Sequence, residues 1–574
     1  MSPLDRLRDS GFRRGDLLAL CVVTDRAVGL AWQAGQWSAE TDPLPLLTEL
    51  ETQLRPRWVW WSADTPLALT RAGLRVATSW DLAAVHRLLF GGWRAEPALL
   101  WAALHELPAD SLPGTGQLDL LGSGGEEGTD PEDPVRPDGH LRPEWSGGGW
   151  QRDQTRLARW SATALLAAGL QADRLGRLRA AGNPMATAHS ESAAELLCAE
   201  LAVDGLPIDL PRARQLLTSF VGPRPAGPEE ATRQRERRDS AVLRLVPGAD
   251  GTDLRNPGQV RAMLGRIGIE VPDTRSWRLE NFRGAHPAIE ALLSWRKSER
   301  IATTYGYEWL DRNVGSDGRL RGSWTGSDGA AGRMTAQAGL HNLPADLRPA
   351  VAAEPEHIFV RADLGQIEPR VLAAVSGDRA LALATQDDDL YAPVASRLGV
   401  DRPVAKVAVL AAMYGQTSGT AGAALKGLES AYPVAMRYLQ DAAESGRAGR
   451  DLRTYGGRLV RMWPTPAGLD PAAERATAAS RGRYARNAMV QGAAAELFKV
   501  WAVTVRARGG PLGAQVVLCL HDEVLVHVPA AAATEAKQLV IDCLAEAAYR
   551  WAPDASVRFV AEVSLIQRWS EAKD

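Results

Sequence analysis

The sequence predicts a multidomain protein of mixed class, α/β at its N-terminus and α+β in its larger remainder. Three observations carry this. The chain has 574 residues, too many for one hydrophobic core. Its first part alternates short β-forming runs with helical patterns. Its part beyond about residue 350 sets long helical patterns beside apolar β-runs that deliver acids, at Ile358–Gly377 and Gln515–Pro529.

In chain order, Leu17–Val23 and Ala27–Trp32 read as two strands of a hairpin, and Trp58–Trp61 as a further strand. Leu82–Phe90 and Leu99–Leu107 read as helices. Residues 121–150 are rich in Gly, Pro and acids and read as a flexible surface loop or linker. A helix follows from about residue 190 and ends at Gly205. Between Arg212 and Arg244 lies the basic cluster RQRERRDSAVLRL. It would suit phosphate groups, or a solvated face whose Arg residues pair with the interleaved Glu229, Glu230 and Glu236.

Three segments carry the chemistry. Ile358–Gly377 opens as a buried strand, presents Asp363 at its end, and continues as a helix with Ile367, Val371, Leu372 and Val375 on one face. An acid so placed holds a metal ion or caps the helix, and this segment alone does not separate the two. In Arg402–Gly415, Arg402, Lys406, Leu410 and Tyr414 recur every four residues. They line one helical face that grades from two cations to an aromatic hydroxyl, which suits a polyphosphate carrying a flat base. In Gln515–Pro529, two apolar β-runs flank His521, Asp522 and Glu523. A tight hairpin there lifts two acids out of an apolar sheet, where charge needs a partner or a metal.

Composition excludes several classes. A formal net charge of −3 excludes a globally basic nucleic-acid binder, though not a local basic groove. Cys21, Cys198, Cys519 and Cys543 are scattered with no CxxC pair, which argues against a disulfide framework or a zinc site. With no long apolar run and no signal peptide, a cytoplasmic, nucleoid-associated protein without membrane contact is expected.

DLGQIEPR, RxxxKxxxLxxxYG and HDE resemble, in order, motifs A, B and C of the family A DNA polymerases, of the DNA polymerase I type. The resemblance runs over roughly residues 190–574 and implies a right-hand fold: thumb 190–330, palm 331–378 and 456–574, fingers 379–455. It implies DNA-templated addition of deoxyribonucleotides to a primer 3′ end, with primer–template DNA and dNTPs as partners and the chain acting as a monomer. Two Mg²⁺ ions, replaceable by Mn²⁺, would be held by Asp363, Asp522 and the Leu364 carbonyl, with Glu523 secondary. Arg402 and Lys406 would bind the β- and γ-phosphates, and Lys406 would protonate pyrophosphate. Leu410, Tyr414, Gln366, Arg348 and His521 would line the nucleotide site, and Glu368 would exclude a ribose 2′-OH. GRMTAQAGLHNLP resembles the family's GRLSSxxPNLQNIP and places Arg333 at the primer end and Asn342 on duplex DNA. Arg370 would also contact DNA. Arg483, Asn487 and Gln491 share a helical face and would test base-pair shape from the minor groove.

By the same resemblance, residues 1–185 stand where relatives carry an RNase H-like 3′–5′ exonuclease domain, and no 5′-nuclease domain is expected before it. The acids that such a nuclease needs are missing. Asp25 has Ala27 where an Asp-x-Glu pair belongs, and QTRLARWSATALLAAGL offers Trp160 and Ser161 but no Asp. A degenerate exonuclease domain is expected; the alternative is an unconventional site from Asp64, Asp81 and Glu106. Other departures are Leu410 for an aromatic, and Gly365 and Pro369 for Ser and Leu, which would bend motif A. The leading function is a polymerase of repair or gap filling. The alternatives are a bifunctional enzyme with a working exonuclease and a catalytically silent DNA-binding protein.

Overall fold

The computed structural model describes residues 2–109, 112, 133–328, 331–415 and 421–572. The chain divides into two compact units. The first comprises residues 1–204, 323–336 and 356–566, and the second residues 205–322, 337–355 and 567–574.

The first unit begins with a five-stranded sheet in the order β3-β2-β1-β4-β5. Its strands are β1 (Leu17–Val23), β2 (Ala27–Trp32), β3 (Gly35–Ala39), β4 (Arg57–Trp60) and β5 (Thr78–Asp81). The β1–β2–β3 pairings are antiparallel and the β1–β4–β5 pairings parallel. Both faces are apolar: Leu18, Leu20, Leu30 and Trp58 pack on one side and Ala19, Ala31 and Val59 on the other. Helix α1 (Gln154–Arg177) covers the second face through Leu157, Trp160 and Ala164. Helix α2 (Pro184–Asp204) runs on within the same unit, so the helix expected to open the thumb near residue 190 stays with the first unit, and the second begins at Gly205.

The expected flexible stretch 121–150 is only partly described, because residues 121–132 lie outside the described residues. The remainder is built in. Val135 bridges Leu141, Pro143–Ser146 forms a helical turn, and Trp145 is completely buried with Trp160 in the core. Its Gly and Pro content misled because one buried indole outweighs local composition.

The second sheet of this unit has the order β7-β8-β6-β9 and is antiparallel throughout. Its strands are β6 (His357–Leu364), β7 (Gln515–Leu520), β8 (Glu523–Pro529) and β9 (Ala561–Ile566). β6 continues into helix α3 (Ile367–Ser376). Pro369 lies inside that helix. It stands in the first turn, where its missing N–H has no intrahelical partner to lose. Gly365 is explained by crowding: a Cβ there would stand 2.8 Å from Val560 Cγ2.

Helix α4 (Arg402–Tyr414) sits in its own apolar cluster with Leu372, Tyr391 and Leu439. It ends where Gly415 adopts φ +68°. Helix α5 (Pro471–Gly509) has 39 residues and buries Leu497, Phe498 and Trp501 against the second sheet. Helix α6 (Ala533–Trp551) adds Val540, Leu544 and Ala547 to that core.

The second unit is helical. Its core gathers Val260, Leu264, Leu279, Ile289 and Leu292. The expected long helix near 292–306 spans Pro287–Thr304. The basic cluster lies mostly on the helix Pro228–Leu243, where Glu229 pairs with Arg233.

Candidate active site

β7 and β8 are joined by the two-residue loop His521–Asp522, with Leu520 opposite Glu523. His521 adopts φ +54°, an unusual conformation for a residue with a side chain, and it turns the chain within two residues. β6 lies beside this hairpin. Asp363 is opposite Glu523 on one side and opposite Glu562 of β9 on the other. Directly opposed residues project to the same face of a sheet, so three carboxylates share it. The Leu364 N–H donates to the Asp522 carbonyl at 2.9 Å and fixes the fourth acid beside them.

The electrostatics follow from this crowding. Burial and then the neighbouring Asp522 push the Asp363 carboxyl up to about 6. Asp522 is also raised, by burial and then by Glu523 and Glu368, with Arg333 opposing. Carboxylates held together against their own repulsion form an oxygen-only donor set that a hard divalent cation relieves. The oxygen donors present fit a hard divalent cation such as Mg²⁺, and Asp363, Asp522 and the Leu364 carbonyl are the groups that could hold it.

Arg361 also belongs to this centre, and the sequence reading missed it. It stands two residues before Asp363 on β6 and so faces the same side. Its Nη2 donates to Asp363 Oδ2 at 2.7 Å and its Nε to Glu523 Oε1 at 2.8 Å. The two-residue alternation of Arg361 and Asp363 was visible in the sequence. The partnership with Glu523, 162 residues away, was not.

Beside the acids is a cavity of about 200 Å³. Leu364, His521 and Asp522 line it from the sheet and hairpin, and Gln366 and Glu368 from the start of α3. Leu410 and Tyr414 line it from α4, and Gln491 from α5. Arg333 closes the ring. Glu368 organises this wall: it accepts from Tyr414 Oη at 3.0 Å and from Arg333 Nη2 at 3.2 Å. Gln366, held at φ +48°, accepts through Oε1 from the Leu390 N–H at 3.2 Å and from Arg370 Nη2 at 3.1 Å.

The other expected residues do not line this cavity. Lys406 is exposed on α4. Arg402, one turn earlier, ion-pairs with Asp389, which holds it off any ligand until that pair opens. On α5, Arg483 is exposed and the Asn487 Oδ1 is buried with no hydrogen-bond partner among the described residues. Arg348 and Asn342 belong to the second unit. There the Arg348 guanidinium stacks 4.2 Å from the Trp569 ring and Asn342 is exposed.

Arg370 is a correction. It is fully buried and offers no surface to DNA. Its guanidinium donates to the carbonyls of Gly365, Thr385, Asp387, Asp388 and Arg558. A planar five-donor head with no other way to be satisfied in the interior has become the knot that ties the start of α3 to two loops.

The N-terminal acids are dispersed in role. Asp25 is exposed in the β1–β2 turn at φ +59°. Asp64 is exposed at the start of a helix and accepts from Ser62. Asp81 is completely buried, capping the next helix at Ala84 N–H and accepting from the Trp60 indole. Burial pushes its carboxyl up to about 7, with Glu195 adding to it. Glu106 is exposed and pairs with Arg174.

A model of DNA polymerase family A matches residues 259–571. DNA polymerase I of Thermus filiformis, a thermostable enzyme, is 30% identical over 382 residues, which cover 60% of this chain and 44% of that protein. DNA polymerase I of Chloroflexus aurantiacus is 30% identical over 323 residues, 51% of this chain and 33% of that one. DNA polymerase theta of Caenorhabditis elegans is 26% identical over 314 residues, 49% of this chain and 19% of that one. The chain thus spans less than half the length of these curated relatives. Among solved structures, the POL domain of Pol1 from M. smegmatis, in complex with DNA primer-template and dNTP, superposes with a TM-score of 0.69. At 21% identity it covers 99% of this chain and 98% of its own, so the two share the right-hand polymerase fold. The family match extends over more than half of the chain, and this protein belongs to DNA polymerase family A.

Proposed function

We propose that the protein is a DNA-templated DNA polymerase that extends a primer 3′ end with deoxyribonucleotides, serving repair or gap filling, and that its N-terminal domain has no exonuclease activity. The observation that supports this most is the sheet edge where Asp363 and Asp522 are fixed side by side, beside a cavity walled by Glu368, Arg333 and Tyr414.

Asp363, Asp522 and the Leu364 carbonyl would hold two Mg²⁺ ions. When bound, these supply positive charge to the attacking 3′-oxygen and to the departing pyrophosphate. The chain's own residues do the rest. Lys406 and Arg402 bind the β- and γ-phosphates, with Arg402 exchanging Asp389 for phosphate, and Lys406 gives a proton to the leaving oxygen. Gln366 and His521 frame the sugar and triphosphate. Tyr414 and Leu410 pack on the incoming base. Glu368, held by Tyr414 and Arg333, occupies the space a 2′-OH would need. Arg483, Asn487 and Gln491 face the minor groove of the terminal pair, Arg333 and Asn342 steady primer and template, and Arg348 serves the triphosphate.

The inactive exonuclease reading is supported by the separate duties of its acids. Asp81 is sealed in as a helix cap, and Glu106 is spent on an exposed ion pair. A two-metal nuclease needs open carboxylates that converge.

A 5′-labelled primer on a longer template tests both parts. With dNTPs and Mg²⁺ the primer lengthens, and Asp363→Asn or Asp522→Asn abolishes this while fluorescence anisotropy still reports DNA binding. Without dNTPs the primer keeps its length. Extension surviving in either variant refutes the assignment of the acids. Shortening without dNTPs refutes the inactive exonuclease.

A further inference from the structure

Arg361 is a cation hydrogen-bonded to two acids of this centre, Asp363 and Glu523, and the proposed reaction gives it no part. Its side chain is about 5% exposed, that of Glu523 about 11% and that of Asp363 about 35%. Its two contacts run to different strands: Nη2 to Asp363 Oδ2 within β6, and Nε to Glu523 Oε1 on β8. Each contact is a charge-assisted hydrogen bond, and a guanidinium does not lose its proton under any condition the enzyme meets. The backbone registers leave it little freedom, because Asp363 faces Glu523 across the ladder and Arg361 pairs with Leu525 one step behind.

Two consequences follow for a cation arriving from solution. One oxygen of Asp363 and one of Glu523 already accept from Arg361, which leaves Asp363 Oδ1 and the Asp522 carboxylate outside its grip. A unit positive charge also stands within one side chain of the incoming ion. Against four carboxylates, Asp363, Asp522, Glu523 and Glu562, it cancels part of the field that would otherwise draw divalent ions in before a nucleotide arrives.

We propose that Arg361 is a positioning residue that sets the divalent-ion demand of this centre: it ties Asp363 to Glu523, keeps Glu523 off the metal, and lowers the affinity for free ions until a nucleotide's phosphates add their own charge. The consequence is ordered loading. The acids alone hold Mg²⁺ weakly, and an ion enters chiefly together with the triphosphate. This rests on the assignment of Asp363 and Asp522 as metal-holding residues.

The test uses the full chain and titrates Mn²⁺ alone, without DNA or nucleotide, by isothermal calorimetry and by the loss of the free-ion paramagnetic resonance signal. Even under water-like screening, one unit charge a few ångströms from a doubly charged ion alters its affinity by roughly tenfold. Arg361→Gln and Arg361→Met should therefore bind Mn²⁺ roughly tenfold more tightly than wild type. In primer extension they should reach half-maximal rate at a correspondingly lower free Mg²⁺. Arg361→Lys, which keeps the charge and loses the two-pronged grip, should stay within about threefold of wild type in both readings.

A purely structural role predicts a lower melting temperature with unchanged Mn²⁺ affinity. Unchanged or weaker Mn²⁺ binding in a folded Gln or Met variant overturns the proposal. If neither variant folds, an Arg361→Lys variant that departs from wild type as far as tenfold overturns it instead. Asp363→Ala with Asp522→Ala is the separate control. If Mn²⁺ binding survives in that double variant, the metal-site assignment fails, whatever Arg361 does.

Discussion

Removing the Arg370 guanidinium separates a DNA-contact role, which the motif resemblance implies, from the structural role that the fold gives it. The perturbation is Arg370→Met, which keeps an apolar stem and deletes every donor. The side chain is 0% exposed and satisfies five main-chain carbonyls, of Gly365, Thr385, Asp387, Asp388 and Arg558. It also holds the Gln366 side chain that lines the cavity. Burial pushes the guanidinium down to about 10, so at neutral pH it remains charged and all of its donors stay available. Breaking a buried, charge-assisted network by removing one partner costs about 3–5 kcal/mol.

Because a chain of two units does not unfold in one step, the assay is local: hydrogen exchange followed by mass spectrometry over residues 360–390. The loss corresponds to a fall in protection of roughly 10²–10⁴-fold there, with little change in the second unit. Below the temperature at which the variant opens, primer–template affinity by anisotropy should match wild type. Wild-type protection together with weaker DNA binding would refute the reasoning and restore Arg370 as a DNA contact.

Glu368→Ala frees both Tyr414 and Arg333 and opens the space beside the sugar, so discrimination against ribonucleotides should fall by roughly 10²-fold in kcat/KM; unaltered discrimination would remove Glu368 from that role. Leu410→Phe puts a flat surface on the cavity-lining side of its helix and should tighten nucleotide binding and alter dideoxynucleotide selectivity, read from competitive incorporation; equal selectivity in variant and wild type would count against the stacking argument. Asp363, pushed up to about 6 in the folded protein, contributes stability that is fully present below about pH 4 and is lost as the pH rises through about 6. Excess Mg²⁺ should accordingly raise the melting temperature more at pH 7.5 than at pH 5, and Asp363→Asn should remove most of that difference.

Much of the candidate site was legible because its signals are local. Asp363 stands where a β-run meets a helical period. Arg402, Lys406, Leu410 and Tyr414 share a face because 3.6 residues make a turn, and a two-residue loop between apolar runs announces the hairpin that carries Asp522. The order of these segments was enough to name the family, and the first hairpin of the N-terminal sheet lies at the predicted residues.

What the sequence could not determine depends on partners far along the chain. Arg370 is drawn inside by the Thr385 carbonyl 15 residues on and the Arg558 carbonyl 188 residues on. Arg361 meets Glu523 only because β6 and β8 pair in one register, and Glu562 joins the acids only because β9 pairs on the other side. Trp145 fixes a stretch whose composition reads as a linker because Trp160 lies in the same core. Periodicity and turn chemistry are set by neighbours in sequence. Whether a charged or aromatic head ends in solvent or in the interior is set by which distant backbone groups and side chains surround it, and only the tertiary structure decides that.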